Sequence, residues 1–339
     1  MPVPRVAAVV LAYNGRDVTL QALASLSGMS YPAYDLVVVD NGSTDGSAEA
    51  IAAAFPAVRV LRTETNLGPA GGANLGIRWA LDQRGPESGY DYVLVLNNDI
   101  EVDPEMLSEL VRAAEADPTV GCVGPKAYYH GDPRRIWSAG GQIRFREAVT
   151  WERGQGQLDR GQLDEDAEVA YLNGCALLAR RAVFEQVGLW DPLFHLAVED
   201  ADWCLRARRA GWRCVYAHRA RLWHMVSHTT GSYRATKTFQ TGRSTALFVR
   251  RHANARQWAT FLLFAAAAFP AAWLRELPRG NQRAAVAKLR GVVAGLRAEM
   301  TAPPRWEPAA ATDGGERRDP AGRVAPAAPD RQVAGRAAG

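Results

Sequence analysis

Over the first hundred positions, short uninterrupted apolar runs alternate with stretches whose apolar residues recur at helical spacing. Val6 to Leu11 and Leu36 to Val39 are apolar throughout, as strands covered on both faces are. Between them, Val18 to Leu26 has the spacing of an amphipathic helix. The alternation continues with a helix over Asp45 to Phe55, for which Ser43, Thr44 or Asp45 supplies the N-cap. A strand over Val58 to Leu61, a helix over Gly72 to Leu81 and a strand over Tyr92 to Leu96 complete it. Strands separated by helices predict a mostly parallel sheet with right-handed crossovers, so the fold class is α/β.

Beyond residue 103 the pattern loosens. Helices are expected over Met106 to Ala116, Arg181 to Val187 and Asp200 to Ala210, with strands over Gly121 to Tyr128 and Arg213 to Tyr216. Ala170 to Ala179 is apolar, whereas Arg144 to Asp166 is polar and glycine-rich and reads as an excursion beside the site. From about residue 236 to 300 the pattern is helical. Within it, Trp258 to Leu274 is almost wholly apolar but interrupted by Pro270, and Arg250, Arg251, Arg256, Arg275 and Arg279 flank it. At 17 residues this is the short limit of a membrane span. An interfacial helix pair suits it better than a span, and a packed helical hairpin is the other reading. Residues 301–339 are rich in Pro, Ala, Gly and Arg and are expected to be disordered. The expected division is therefore 1–103, 104–235, 236–300 and 301–339.

Composition narrows the partners. A chain of 339 residues accommodates one large α/β domain with additions. The net charge of +4 is too mild for a dedicated nucleic-acid binder, and suits contact with phosphates or an anionic membrane. Cys122, Cys175, Cys204 and Cys214 form no C-x-x-C pair and are expected to be buried, reduced thiols of a cytoplasmic protein. The first residues lead directly into a strand, without the pattern of a signal peptide.

Four segments carry candidate chemistry. Val93 to Asp99 is an apolar strand ending in Asn97, Asn98 and Asp99. In open α/β sheets ligands bind beyond the carboxyl ends of strands, where a carboxylate can hold a divalent cation and the cation a diphosphate. Asp40 ends the second strand, where an acid can accept hydrogen bonds from a base or ribose; an N-cap turn also explains the Ser43-Thr44-Asp45 that follows. Asn66 to Asn74 is glycine-rich and precedes a helix, so its backbone could approach a phosphate or sugar. Gly68, Gly71 and Gly72 lie within it, but it lacks the G-x-G-x-x-G spacing and follows the third strand. Finally, Glu199, Asp200 and Asp202 crowd three acids into four residues, which raises a carboxyl pKa toward that of a general base. A helix first turn, with Arg206 paired to Asp202, also accounts for them. His224 follows in Trp223-His224.

Together these segments resemble the inverting family 2 glycosyltransferases of GT-A fold, in particular the rhamnosyltransferase-like ones. The resemblance spans about residues 3 to 250 and rests on five motifs in order: V-V-V-D-N-G-S-T-D-G-S, N-L-G-P-A-G-G-A-N-L-G, L-N-N-D, N-G-C-A-L-L-A-R-R, and E-D-A-D-W-C-L-R-A-R-R-A-G-W followed by W-H. It implies a nucleotide-sugar-binding half over 1–103 and an acceptor-binding half over 104–235. Asp40 then matches the acid that contacts the base, and Asp99 the last acid of a D-x-D metal motif whose first position is Asn97. His224 matches a downstream metal ligand for Mn²⁺ or Mg²⁺. Asp200 matches the catalytic base, with Glu199 and Asp202 positioning acceptor or base. Ala12, Tyr13, Asp40, Asn66, Gly68, Gly71, Gly72, Asn97 and Asn98 are the implied contacts to a nucleotide-diphosphate sugar. The acceptor would be a saccharide or lipid-linked, with the protein peripheral at the inner face of the plasma membrane. A sugar nucleotidyltransferase and an inactive nucleotide-sugar-binding scaffold remain as alternatives. The stretch Ala12-Tyr13-Asn14-Gly15-Arg16 is poor for a triphosphate, and the intact acidic run argues against a scaffold. A dehydrogenase lacks its fingerprint.

Overall fold

The apolar run at the start is β1 (Val6–Ala12), flanked in parallel by β2 (Tyr34–Asp40) and β4 (Tyr92–Asn97), with β3 (Arg59–Arg62) beyond β2. The computed structural model describes residues 2–85, 89–146, 148–226 and 235–308. Within β1, Val6, Ala8 and Val10 enter one apolar layer while Ala7 and Val9 enter the other. Burial on both faces is why these strands are apolar runs rather than alternating ones. Helices α1 (Arg16–Ser27), α2 (Ser47–Ala54) and α3 (Gly68–Asp82) make the crossovers. The third starts four residues before the sequence places it. Gly76 allows that packing, because a Cβ there would stand 2.2 Å from Val9 Cγ1.

The second half extends the same sheet with mixed polarity. β5 (Ile100–Val102) and α4 (Met106–Glu115) lead to β6 (Val120–Tyr129) and β7 (Asp132–Ser138). The sheet order is β10–β12–β6–β11–β4–β1–β2–β3, with β5 on β12 and β7 on β6. Here β10 is Ala167–Glu168, β11 is Ala176–Arg180 and β12 is Arg213–His224. β12 runs much further than the short strand read from sequence. A register shift between Ala217 and Arg221 lets its far end pair with β5 as well as β6. The polar excursion contains a hairpin of β8 (Gly141–Ile143) and β9 (Thr150–Glu152). Its later turns are tied down by fully buried Lys126, which bonds Asp159 at 3.0 Å and also pairs with Asp164. Polar composition here reflects a charge-anchored segment rather than a free loop.

α5 (Arg181–Val187) and α6 (Glu199–Arg209) precede three C-terminal helices, α7 (Ala235–His252), α8 (Ala255–Glu276) and α9 (Gln282–Arg297). α7 and α9 cross at glycines: a Cβ on Gly291 would lie 2.0 Å from Phe239 O, and one on Gly242 2.2 Å from Lys288 O. α8 continues through Pro270 for 22 residues, so the expected interruption is absent. Residues 301–306, at the head of the stretch expected to be disordered, instead lie against the α/β core. Leu189 N donates to Pro304 O at 2.8 Å, and Trp306 Nε1 donates to Asp82 at 3.0 Å. Residues 309–339 of that stretch fall outside the described residues. All four cysteines are buried and free.

Candidate active site

Parallel strands β4, β1 and β2 bring Asn97, Ala12 and Asp40 to one edge of the sheet. Asp40 is fully buried; its Oδ1 accepts from Ser43 N at 3.0 Å and its Oδ2 faces Arg62 Nε at 3.2 Å. Asp40 thus organises the turn and pairs with Arg62 at the strand end, while the N-cap position of α2 falls to Gly46 rather than to Ser43, Thr44 or Asp45. Ala12 is buried and Tyr13 half-exposed beside it. Asn98 is turned inward, donating to Thr19 Oγ1 at 2.8 Å and to Asn14 O at 3.3 Å. It ties the end of β4 to the β1–α1 turn, so its amide nitrogen is not free for a donor.

The glycine-rich turn is held by Asn41, which sequence reasoning left out of the site. Its amide donates to Asn66 Oδ1 and Gly68 O, both at 3.1 Å, and its oxygen accepts from Leu67 N at 3.0 Å. Gly68 has a φ of +74°, and a Cβ there would be 3.0 Å from His195 Nδ1, so the turn lies against the segment leading to α6. Gly72 departs from its expected role. A Cβ on it would meet Leu11 Cδ1 at 2.5 Å and Asn41 Nδ2 at 2.9 Å, so it faces the sheet and sets helix–sheet spacing. Gly71 is likewise crowded, by Leu67 Cβ at 2.8 Å.

Asp99 and His224 meet because β5 pairs antiparallel with β12, setting His224 opposite Ile100. His224 Nε2 lies 3.0 Å from Asp99 Oδ1, and both side chains are buried. Trp137 packs edge-on against the imidazole at 4.3 Å, while His224 Nδ1 has no hydrogen-bond partner among the described residues. Cis ligands of an octahedral ion at about 2.1 Å stand about 3.0 Å apart, so this carboxylate–imidazole pair fits a shared divalent cation such as Mn²⁺. No cluster of three or more ligating side chains occurs among the described residues, so the other positions would fall to donor oxygens and water. Lys237 on α7 lies in the field of Asp99; burial pushes its pKa down and the Asp99 charge opposes this.

The three acids of α6 have different fates. Ala197 and Val198 precede the helix at φ +67° and +63°, a costly conformation for a β-branched residue, directly before Glu199 and Asp200. Asp200 Oδ2 accepts from Gly174 N at 2.8 Å and Oδ1 from Ala201 N at 2.7 Å. Burial pushes Asp200 up to about 6 although the Gly174 amide opposes it. Burial and the Asp200 charge push Glu199 up to about 8, and Glu199 Oε2 is buried with no hydrogen-bond partner among the described residues. Asp202 does not join them. It is fully buried, with Arg206 Nε at 2.9 Å, His252 Nε2 at 2.8 Å and Arg251 Nη1 at 3.2 Å. The expected role of Asp202 at acceptor or base is therefore corrected: it joins α6 to the end of α7. One acid in the excursion reaches the site unannounced: Glu152, whose charge raises Asp200.

The mostly parallel, mixed α/β sheet, shared with solved glycosyltransferases, gives the chain the GT-A fold. The profile of glycosyl transferase family 2 matches residues 7–188, and the chain belongs to that family. It is similar to the N-acetylglucosaminyl-diphospho-decaprenol L-rhamnosyltransferase of Mycobacterium tuberculosis, 32% identical over 246 residues that cover 68% of this chain and 80% of that protein. It is also similar to a poly-beta-1,6-N-acetyl-D-glucosamine synthase of Staphylococcus epidermidis, 23% identical over 65% of this chain and 49% of that one. Among solved structures, the mannosyltransferase PcManGT of Pyrobaculum calidifontis, in complex with GDP-Man and Mn²⁺, shares the fold at a TM-score of 0.54 and 18% identity, over 88% of each chain. GalNAc-T7 with UDP, GalNAc and Mn²⁺ does so at a TM-score of 0.56 and 16% identity, over 72% of this chain and 48% of that one. The protein is a glycosyltransferase, and the nucleotidyltransferase, dehydrogenase and inactive-scaffold readings give way.

Proposed function

We propose that the protein transfers a hexose, rhamnose foremost, from a nucleotide-diphosphate donor to a saccharide or lipid-linked acceptor with inversion, Asp200 acting as base. The observation that carries this is the contrast within α6: Asp200 is raised to about 6 while Asp202 is consumed in ion pairs. A carboxylate in that range is ionised near neutrality yet basic enough to take a proton. Asp200 removes the proton from the acceptor hydroxyl as that oxygen attacks the anomeric carbon. Asp99 and His224 would hold the divalent cation, which when bound neutralises the diphosphate leaving group. Asp40 receives the nucleoside at the end of β2, and the turn held by Asn41 bounds the donor beside it. No second carboxylate nucleophile is needed, since a single displacement inverts the centre.

The polyprenyl-linked acceptor named for the mycobacterial relative supports a lipid-linked acceptor here. So does α8, a 22-residue helix whose 18-residue apolar window has a mean hydropathy of 1.4 and is only 6% buried. This supports a peripheral position at the cytoplasmic face of the membrane. The test is a panel of nucleotide-sugars assayed with Mn²⁺, Mg²⁺ or EDTA, using wild type and Asp99→Ala. The expected result is a raised melting temperature with one donor and cation, transfer lost in EDTA and in the variant, and a product of opposite anomeric configuration by NMR. Full turnover in EDTA would remove the metal, and a retained configuration would remove the single displacement.

A further inference from the structure

The β8–β9 hairpin brings a carboxylate to the active site from a stretch of sequence with no recognisable motif. Glu152 ends β9 and accepts three hydrogen bonds. Tyr171 Oη donates to its Oε1 at 2.6 Å, Asn173 Nδ2 to the same oxygen at 3.0 Å, and Ser138 Oγ to Oε2 at 2.5 Å. In all three it serves as acceptor, the role of an ionised carboxylate. Asn173 in turn receives Cys175 N on its Oδ1 at 2.9 Å. The next amide along, Gly174 N, is the one that donates to Asp200 at 2.8 Å. Asn173 is thus clamped at both ends of its amide, by Glu152 on one side and its own turn on the other. That turn presents the Gly174 N–H to the base.

We propose that Glu152 is a positioning residue for Asp200: it fixes the Asn173-Gly174-Cys175 turn whose amide grips the base, and it stations a second negative charge beside it. This rests on Asp200 being the base. The two effects pull in opposite directions, which is why both are needed. The Gly174 N–H orients the carboxylate but, by stabilising its ionised form, makes it a weaker base. The Glu152 charge restores basicity without touching the acceptor. Its other neighbours do not substitute for it. The titratable groups that face Asp200 are Glu199 on the same helix, Glu152 on β9, Tyr171 and Cys175 ahead of β11, and Cys204 one turn further along α6. Burial pushes Tyr171, Cys175 and Cys204 upward, and Glu199 rises to about 8, so these stay neutral where Asp200 titrates.

Glu152→Gln separates charge from shape. Its carbonyl can accept from Tyr171 and Asn173 while its NH₂ donates to Ser138. The pH dependence of kcat/KM is measured on the full chain for wild type, Glu152→Gln, Asn173→Ser and Asp200→Asn, with melting temperatures alongside. Glu152→Gln is expected to move the acid limb down by about one pH unit, the effect of removing a close like charge, and to lower the plateau. Asn173→Ser keeps the charge and breaks the clamp, so the plateau is expected to fall about tenfold or more with the limb unmoved, an orientation loss. An acid limb unmoved in folded Glu152→Gln overturns the charge role, and a wild-type plateau in Asn173→Ser overturns the positioning role, with Asp200→Asn inactive in both cases. If Asp200→Asn itself keeps near-wild-type turnover, the base assignment fails first, and Glu152 with it.

Discussion

Asp200 and Asp202 differ by two positions and carry the same chemical group, yet the fold sets them opposite tasks. Asp200→Asn keeps shape and removes basicity, so turnover is expected to drop at least about a hundredfold, while donor binding, read by thermal shift, stays near normal. Asp202→Ala takes the anion from Arg206 and the hydrogen-bond partner from buried His252, while Arg251 keeps only its pairing with Asp191. Removing one partner of a buried ion pair costs about 3–5 kcal/mol, so urea unfolding is expected to show a loss of that order, which Asp200→Ala does not match. The pH dependence of stability separates them as well. Glu199 and Asp200 have folded pKa values of about 8 and about 6, above their ordinary ones. Between the ordinary and the raised values the folded chain binds protons that the unfolded chain releases, so stability falls as pH rises from about 4 and the loss is complete by about pH 6 for Asp200 and about pH 8 for Glu199. Burial alone would raise Asp202, but the hydrogen bond from His252 and the charges of Arg206 and Arg251 hold it below the usual range, so its contribution is lost only in acid. Glu199→Gln is therefore expected to change little below about pH 4.5 and to raise stability progressively from there to about pH 8, checked by urea melts across that window.

At the scale of elements, glycine sets the distances on which the site depends. On α3, Gly72 and Gly76 let the helix approach β1 until Leu11 and Val9 fill the space a Cβ would take. On α9, Gly291 lets the backbone meet Phe239 O of α7. Ala is the better helix former by about 1 kcal/mol, but here its methyl has no room against a backbone oxygen. Gly291→Ala is expected to lose about 1–3 kcal/mol, the cost of overpacking, read as a lower urea midpoint. α7 also brings Arg251 and His252 to Asp202, and its Phe248 meets Phe145 of the excursion at 6.0 Å. α7 is thus tied to α6, and cutting the chain near residue 250 would remove those ties.

At the scale of the molecule, α8 has no protein partner among the described residues on most of its circumference. α8 is about 33 Å long at 1.5 Å per residue, and Leu263 is 70% exposed, Leu274 63% and Leu262 54%. Arg146 stacks on Phe264 at 4.7 Å, so this helix also touches the excursion beside the acceptor side. The full chain is expected to sediment with vesicles containing anionic lipid, more at low salt than at high salt. Leu263→Glu with Leu274→Glu should leave it in the supernatant at an unchanged melting temperature. Equal recovery of wild type and variant in the supernatant would return α8 to the role of a soluble helix.

Local pattern marked out the parallel half of the sheet, because strands buried on both faces must be apolar throughout and the helices between them must carry one apolar side. It also marked Asp40, Asp99 and the acidic run, since charged residues directly after such strands or at a helix start stand out against their surroundings. It could not rank Glu199, Asp200 and Asp202. That ranking depends on Gly174, Arg251 and His252, which lie 26 to 50 positions away in the chain and are brought close only by packing. For the same reason Glu152 and Asn41 went unnoticed, one in a polar stretch without periodicity and the other within a turn motif. Sequence set which residues end strands and start helices; the tertiary structure decided which of those acids is held in ion pairs and which by a donated amide, because burial, neighbouring charge and hydrogen-bond partners are properties of a place in the fold.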